Sequence, residues 1–256
     1  MIKKNSFLLV LFCTFLLSCE NKKVPLATHL HKKVAPGIVL SFDDAYIDEW
    51  YFADKHLQKY SWKATFCVSR INTLNTFEIQ KLLELQQKGH EIAGHGLNHV
   101  DARKYVKQNG IKSYINDEIK PMMDWFHFYS LDLSSFAYPF GFRTVELDKA
   151  LSDHFKIIRG TVYGEKKTRL DCFYNYKYIV QGISIDENKN FNLAYILKLL
   201  DFANKNHKIL IVYGHKPVTK TTANYQTSLK TLEIICKYIQ QNKMKFYTLE
   251  ELSRLK

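Results

Sequence analysis

Asp43 and Asp44 stand side by side at the end of an apolar run, Ile38-Val39-Leu40-Ser41-Phe42. One aspartate there is explained as a turn residue that hydrogen-bonds its own backbone, and the second is left over. Two like charges so close raise the proton affinity of one of them unless a cation offsets it. Further along, His95-Gly96-Leu97-Asn98-His99 supplies two imidazoles after another short strand-like segment. One carboxylate with two histidines is a common hydrolytic metal set, and it leaves the other carboxylate free to act as a base toward water. His90-Glu91 followed by His95 superficially looks like the HExxH pattern of zinc proteases, but the second histidine is one residue late. Positions five apart on a helix differ by about 140° and cannot share a metal. His95 and His99, four apart, meet either on one helical face or across a strand-end loop with one turn. A ligating imidazole needs an orienting partner on its other nitrogen, and Asn98 and Asp101 are the nearest candidates.

These residues have to be delivered by a scaffold, and the pattern around them is of alternating short apolar runs and longer amphipathic segments. Strands are expected at 38–42, 64–69, 91–94, 135–139, 156–161, 177–185, 208–213 and 245–248. Helical spacing is read at 47–60, 77–88, 145–154, 193–206 and 229–242, with Ile196, Leu199, Leu200 and Ala203 on one face of the fourth. Pro121 starts or kinks a helix within 114–129, and 163–176 reads as a long polar loop. Alternating strands and helices place parallel strands inside and helices outside. Seven or eight strands favour a closed or nearly closed (β/α) barrel over an open doubly wound sheet, and no GxGxxG follows the first strand. In such a barrel the working residues collect at the C-terminal strand ends. Asp43-Asp44, His95, Pro139-Phe140 and His215 each follow an expected strand there.

At this point the residues resemble a family. Ser41-Phe42-Asp43-Asp44 is similar to the T/S-F-D-D motif of the NodB-type polysaccharide deacetylases, also called family 4 carbohydrate esterases, and His95 to His99 to their H-x-x-x-H motif. Phe136-Ala137-Tyr138-Pro139-Phe140-Gly141 looks like their third motif, and Val212-Tyr213-Gly214-His215 like the last. The resemblance implies a distorted (β/α) barrel and metal-dependent removal of acetyl groups from an N-acetylated sugar. It implies that Asp44, His95 and His99 hold a divalent ion, with zinc expected, and that Asp43 is the general base. It further implies that the Phe140 backbone N–H helps to hold the oxyanion and that His215 protonates the departing amine. Two motifs depart from the family. The position of the base-orienting arginine is Ala137, with Arg143 or, preferably, Arg159 in the next strand as the substitute. The D-x-x-D-W-like stretch has no match, and Asp186 is the nearest candidate to tune His215. The chain therefore reads as a divergent branch.

The 256 residues, 46% of them hydrophobic, are enough for one substantial core. Residues 1–18 read as a signal peptide, with a basic start and an apolar run from Phe7 to Leu17. Leu16-Leu17-Ser18-Cys19 resembles a bacterial lipobox, which implies lipidation of Cys19, a polar tether over 19–36 and a catalytic domain over 37–256. The expected place is then the cell envelope, held to a membrane by the lipid. Cys67, Cys172 and Cys236 are odd in number and form no CxxC, so buried free thiols are expected. The formal net charge is +12, but no basic stripe with interleaved aromatics appears, so nucleic acid is not an expected partner. An N-acetylated glycan is the expected substrate, and no obligate protein partner is inferred. Two other readings compete: a non-catalytic glycan-binding lipoprotein, and a deacetylase of esters or other small amides.

Overall fold

The computed structural model describes residues 34–162, 171–189 and 191–255. Its frame is a ring of seven parallel strands: β1 (Gly37–Asp44), β2 (Thr65–Val68), β3 (Glu91–Gly94), β4 (Ser135–Ala137), β5 (Ile157–Thr161), β6 (Ile179–Ser184) and β7 (Ile209–Gly214). Each pairs with the next, and β7 returns to β1 to close the barrel. Two short parallel strands, β8 (Lys216–Val218) and β9 (Gln226–Ser228), form a small ladder beyond β7. The last strand, β10 (Lys245–Tyr247), pairs with Gly37–Val39 of β1, whereas β2 pairs with Ser41–Asp44 further along. The expectation of a (β/α) barrel with seven or eight strands is met, with seven in the ring and the eighth beside it.

Parallel strands must be covered on both faces, which is why β1 is buried from Gly37 to Asp43. Ile38, Leu40 and Phe42 face the helical layer and join the main core, while Val39 belongs to a second cluster with Cys67, Ala93, Ala137 and Ile211 inside the ring. The helices Ile47–Leu57, Thr76–Gln87, Val145–Leu151, Leu193–Lys205 and Leu229–Gln241 fall within a residue or a few of the expected spans. Asn75 and Glu78 form a reciprocal capping box at the start of the second, which fixes where it begins. Ile196, Leu199, Leu200 and Ala203 are the buried face of Leu193–Lys205, as the spacing requires.

One helical feature differs from expectation. Ala102–Tyr114 is helical, with a break at Gly110, although the sequence shows no helical pattern there. Only Ala102 and Tyr114 of that segment are buried, so no apolar stripe exists to read. Pro121 stands in the first turn of the helix Lys120–Phe128, where the expected helix start falls. A π-helical turn, Ile115–Ile119, leads directly into the helix Lys120–Phe128. Of the expected polar loop 163–176, residues 163–170 lie outside the described residues, as do the signal segment, Cys19 and most of the tether. Among the described residues no helix is long and apolar enough to cross a membrane. Among the described residues Cys67, Cys172 and Cys236 are buried and form no disulfide.

Phe66 is the aromatic hub between the barrel and the first helix. Its ring stacks on Trp50 at 5.1 Å and Phe42 at 5.9 Å, and meets Trp62 edge-on at 6.3 Å. Truncating a fully buried phenylalanine removes transfer energy and leaves a cavity, at a cost of about 3–5 kcal/mol. Phe66→Ala is therefore expected to lower the guanidinium unfolding free energy by that amount, and a loss under 1 kcal/mol would show that this cluster does not carry the core.

Candidate active site

The first group at the C-terminal rim comes from β1 and the loop after β3. Asp44 ends its strand with φ +82°, a left-handed conformation that interrupts the in-and-out alternation of side chains. Its Oδ1 lies 3.1 Å from His99 Nε2 and 3.7 Å from His95 Nε2. One ligand atom from each of the three side chains lies within 4.8 Å of the others. His95 Nδ1 is 2.8 Å from the Ala137 carbonyl oxygen. A carbonyl only accepts, so the proton sits on Nδ1 and the Nε2 lone pair is left toward Asp44. The orienting partner is thus the backbone of β4, and neither Asn98 nor Asp101 has that role. Asn98 is bound to Glu118, and Asp101 caps the helix Ala102–Tyr114 by accepting from the N–H groups of Arg103 and Lys104. Burial pushes the His95 pKa down to about 4, against the pull of Asp43, so the ring is neutral near pH 7. Burial works to raise the Asp44 carboxyl, but the His99 hydrogen bond and the surrounding imidazoles outweigh it and bring the pKa to about 2.

Asp43 is inside the ring, 3% exposed, and belongs to a different arrangement. Arg159 Nη2 donates to both of its oxygens, at 2.5 and 2.6 Å. Arg159 is on β5, directly opposite Ala137 in the β4–β5 register, and is completely enclosed. Of the two arginines considered from the sequence, Arg143 binds Asp148 and Arg159 binds Asp43. A Cβ at Gly182 on β6 would stand 3.3 Å from Arg159 Cδ and 3.1 Å from the Tyr213 ring, so a bare backbone there gives the guanidinium its path. Burial tends to raise the Asp43 pKa; Arg159, with His95 and His215, holds it below the usual carboxylate range.

His215 follows β7 and makes the third group. Its Nδ1 is 2.6 Å from Asp186 Oδ2, and its backbone N–H donates to Asp186 Oδ1 at 3.0 Å. Thr227 Oγ1 donates to the same Oδ1 at 3.0 Å, which fixes the carboxylate from β9. The sequence offered Asp186 as a candidate partner, and the structure places it in contact. Trp50 is fully buried in the core and also donates Nε1–H to the His215 carbonyl at 2.9 Å. Nothing in the sequence separates that contact from ordinary tryptophan packing. Burial pulls the His215 pKa down, but the Asp186 hydrogen bond and the charge of Asp43 raise it above the ordinary imidazole value.

The three groups open onto one cleft of about 1070 Å³, walled by Phe140, Phe142, Thr161, Tyr195 and Tyr225. Phe140 adopts φ +60° in the turn after β4, and its ring is 4.8 Å from that of His99. Tyr225, also at φ +60°, stands 5.0 Å from His215.

The profile of the polysaccharide deacetylase family matches residues 31–154, which carry Asp43, Asp44, His95, His99 and Phe140. Over this stretch, just under half of its length, the chain is similar to the polysaccharide deacetylases. No curated protein sequence matches it. Solved structures with a similar fold include the Xyl-CE4 domain of a multidomain xylanase from the hindgut metagenome of Trinervitermes trinervoides, at 18% identity and a TM-score of 0.55 over 86% of this chain and 90% of that one. The catalytic domain of peptidoglycan N-acetylglucosamine deacetylase from Eubacterium rectale is 18% identical, with a TM-score of 0.54 over 85% of this chain and 90% of that one. A Streptococcus mutans CE4 esterase is 16% identical, with a TM-score of 0.56 over 84% and 87%. At such identities the likeness is one of fold.

The Asp44–His95–His99 set fits a divalent cation. The donors are one carboxylate oxygen and imidazole nitrogens, they converge without a bridging cationic side chain, and His95 is held in the tautomer that leaves a lone pair free. A consequence follows for the arginine. Ala137 leaves space inside the ring that Arg159 takes from the adjacent strand. Arg159→Ala should lower deacetylase turnover roughly 100-fold by leaving Asp43 buried and misplaced. Adding Ala137→Arg to that variant should recover part of the loss; no recovery in the folded double variant would contradict a shared position for the two guanidinium groups.

The His215–Asp186 pair predicts a pH effect. A raised folded pKa keeps the imidazole protonated to higher pH than a free histidine, and the proton is lost as pH rises through that value. Asp186→Asn removes the charge that opposes burial, so the basic limb of the turnover–pH profile should move to lower pH. An unmoved limb would show that His215 does not set it.

Proposed function

We propose that this protein is a metal-dependent hydrolase that removes N-acetyl groups from an N-acetylglucosamine-type polysaccharide of the cell envelope or its surroundings. The reading rests on one observation above all. Asp43, held by Arg159 and separate from the Asp44–His95–His99 set, and His215, held by Asp186, open onto the same cleft. A site that only bound glycan would need neither a positioned carboxylate base nor a raised imidazole. The named substrate of one structural relative, peptidoglycan N-acetylglucosamine, supports the choice of sugar.

A divalent ion on Asp44, His95 and His99, with zinc the first candidate, would polarise the acetamide carbonyl and acidify water. Asp43 takes the proton from the attacking water as its oxygen bonds to the acetyl carbon. Its low pKa keeps it ionised and ready to accept near neutral pH, and Arg159 fixes its direction. The Phe140 N–H, in the turn that the family uses for this purpose, is assigned to the developing oxyanion. As the C–N bond breaks, His215 Nε2 delivers its proton to the departing amine, because Nδ1 is committed to Asp186. Acetate and the free amino sugar result. The lipobox-like Cys19 and the polar segment after it support a membrane-tethered placement, with the barrel reaching the glycan from its anchor.

The test is acetate release from N-acetylglucosamine oligomers and peptidoglycan, beside acetyl esters, by the metal-loaded protein. Chelation should abolish release, and added zinc, cobalt or nickel should restore it. Asp43→Asn should bind metal normally and lose about 100-fold or more of turnover, the scale of general base catalysis. Normal turnover in that variant would overturn the base assignment, and hydrolysis of esters alone would overturn the amide substrate.

A further inference from the structure

The loop that carries His99 is held from outside the barrel by a carboxylate that none of the family motifs contains. Glu118 is 2% exposed and lies in the π-helical turn Ile115–Ile119. Pro121 has no N–H to give to the preceding turn, and the Lys120 N–H reaches back five residues to the Ile115 carbonyl. The wider turn presents Glu118 to the loop between His95 and His99. Glu118 Oε2 accepts the Asn98 backbone N–H at 2.9 Å, and Oε1 accepts the Asn98 side-chain amide at 2.7 Å. Asn98 itself is exposed, so this clamp does not serve to pack its side chain. Gly96, at φ +81°, takes a left-handed turn that glycine adopts freely, whereas His99, at φ +57°, holds one against its own preference. A Cβ at Gly96 would stand 3.4 Å from Glu118 Oε2, so the carboxylate and the bare turn fit each other. A left-handed backbone at a bulky residue costs about 1–3 kcal/mol and persists only where its surroundings hold it.

We infer that Glu118 is a positioning residue, which through Asn98 holds the His95–His99 loop in the strained shape that aims His99 at Asp44. This rests on the reading of Asp44, His95 and His99 as metal ligands. The π-helical turn then has a purpose beyond accommodating Pro121, as such turns at functional sites often do.

Full-length Asn98→Ala, Glu118→Ala and Glu118→Gln proteins test it, with Co²⁺ alone as the probe. The measurements are Co²⁺ affinity by chelator competition, the visible d–d absorption of the Co²⁺-loaded protein and the melting temperature. Asn98→Ala changes an exposed residue and should fold normally, yet weaken Co²⁺ binding about tenfold, the scale seen when partners behind a metal ligand are lost. It should also alter the absorption band, because only the backbone N–H of the two hydrogen bonds then holds the loop. Glu118→Ala should do the same, and the pair of alanines should be no worse than the more severe single variant. Glu118→Gln, which keeps one acceptor, should recover most of the affinity. Wild-type affinity and spectrum in folded Glu118→Ala, which loses both hydrogen bonds, would overturn the inference while leaving the metal site standing. Wild-type protein that fails to bind Co²⁺ at all would overturn the metal reading first, and the inference with it.

Discussion

A guanidinium with no solvent exposure at the centre of a parallel barrel is tolerable only when its charge is matched at contact distance, and Asp43 is the match for Arg159. The rest of the interior is arranged around that pair. Cys67, Ala93 and Ala137 are small inward residues on three neighbouring strands, and Gly182 presents bare backbone on a fourth. The Tyr213 ring lies 4.9 Å from the guanidinium carbon, so a π face covers part of the charge. Burial also pushes the Cys67 thiol well above its ordinary value, which leaves it a neutral wall and not a competing anion. Breaking the pair by removing one partner would cost about 3–5 kcal/mol, the usual scale for an orphaned buried charge. Stability and the ionisation state of Asp43 are therefore set by the same contact.

Four of the ten non-glycine residues with positive φ among the described residues stand at the open end of the barrel. Asp44, His99, Phe140 and Tyr225 all have positive φ, and all four line the same cleft. None is glycine, so each conformation is maintained against a local preference. The rigid part of the fold supplies the support: strand pairing up to Asp44, the β3–β4 contacts below His95, and the β8–β9 ladder beside Tyr225. A parallel barrel tolerates this because its closure removes sheet edges and leaves the C-terminal rim free for irregular backbone.

The same residue type is driven in opposite directions a short distance apart. His95 is buried, gives its Nδ1 proton to a neutral carbonyl and has its pKa lowered to about 4. His215 meets a carboxylate through Nδ1 and is raised. One ring is thereby suited to offering a lone pair and the other to carrying a proton. Depth and the charge of one partner make the difference, which is how neighbouring titratable groups come to take separate parts in one reaction.

The alternation of apolar and amphipathic segments determined the barrel, because parallel strands and their covering helices leave separate periodic marks in the chain. Adjacent aspartates and the His95–His99 spacing likewise marked the site, since two carboxylates at a strand end have no ordinary structural use. The helix Ala102–Tyr114 left no such mark, having almost no buried face. Partnerships also lay beyond the sequence. Arg159 and Asp43 are joined across the barrel, His95 is oriented by the Ala137 carbonyl, and Glu118 reaches Asn98 from a π-helical turn. A sequence records which groups exist and the period of the elements that carry them. Strand register and helix phase decide which groups meet, because a hydrogen bond depends on separations of a few tenths of an ångström between residues far apart in the chain.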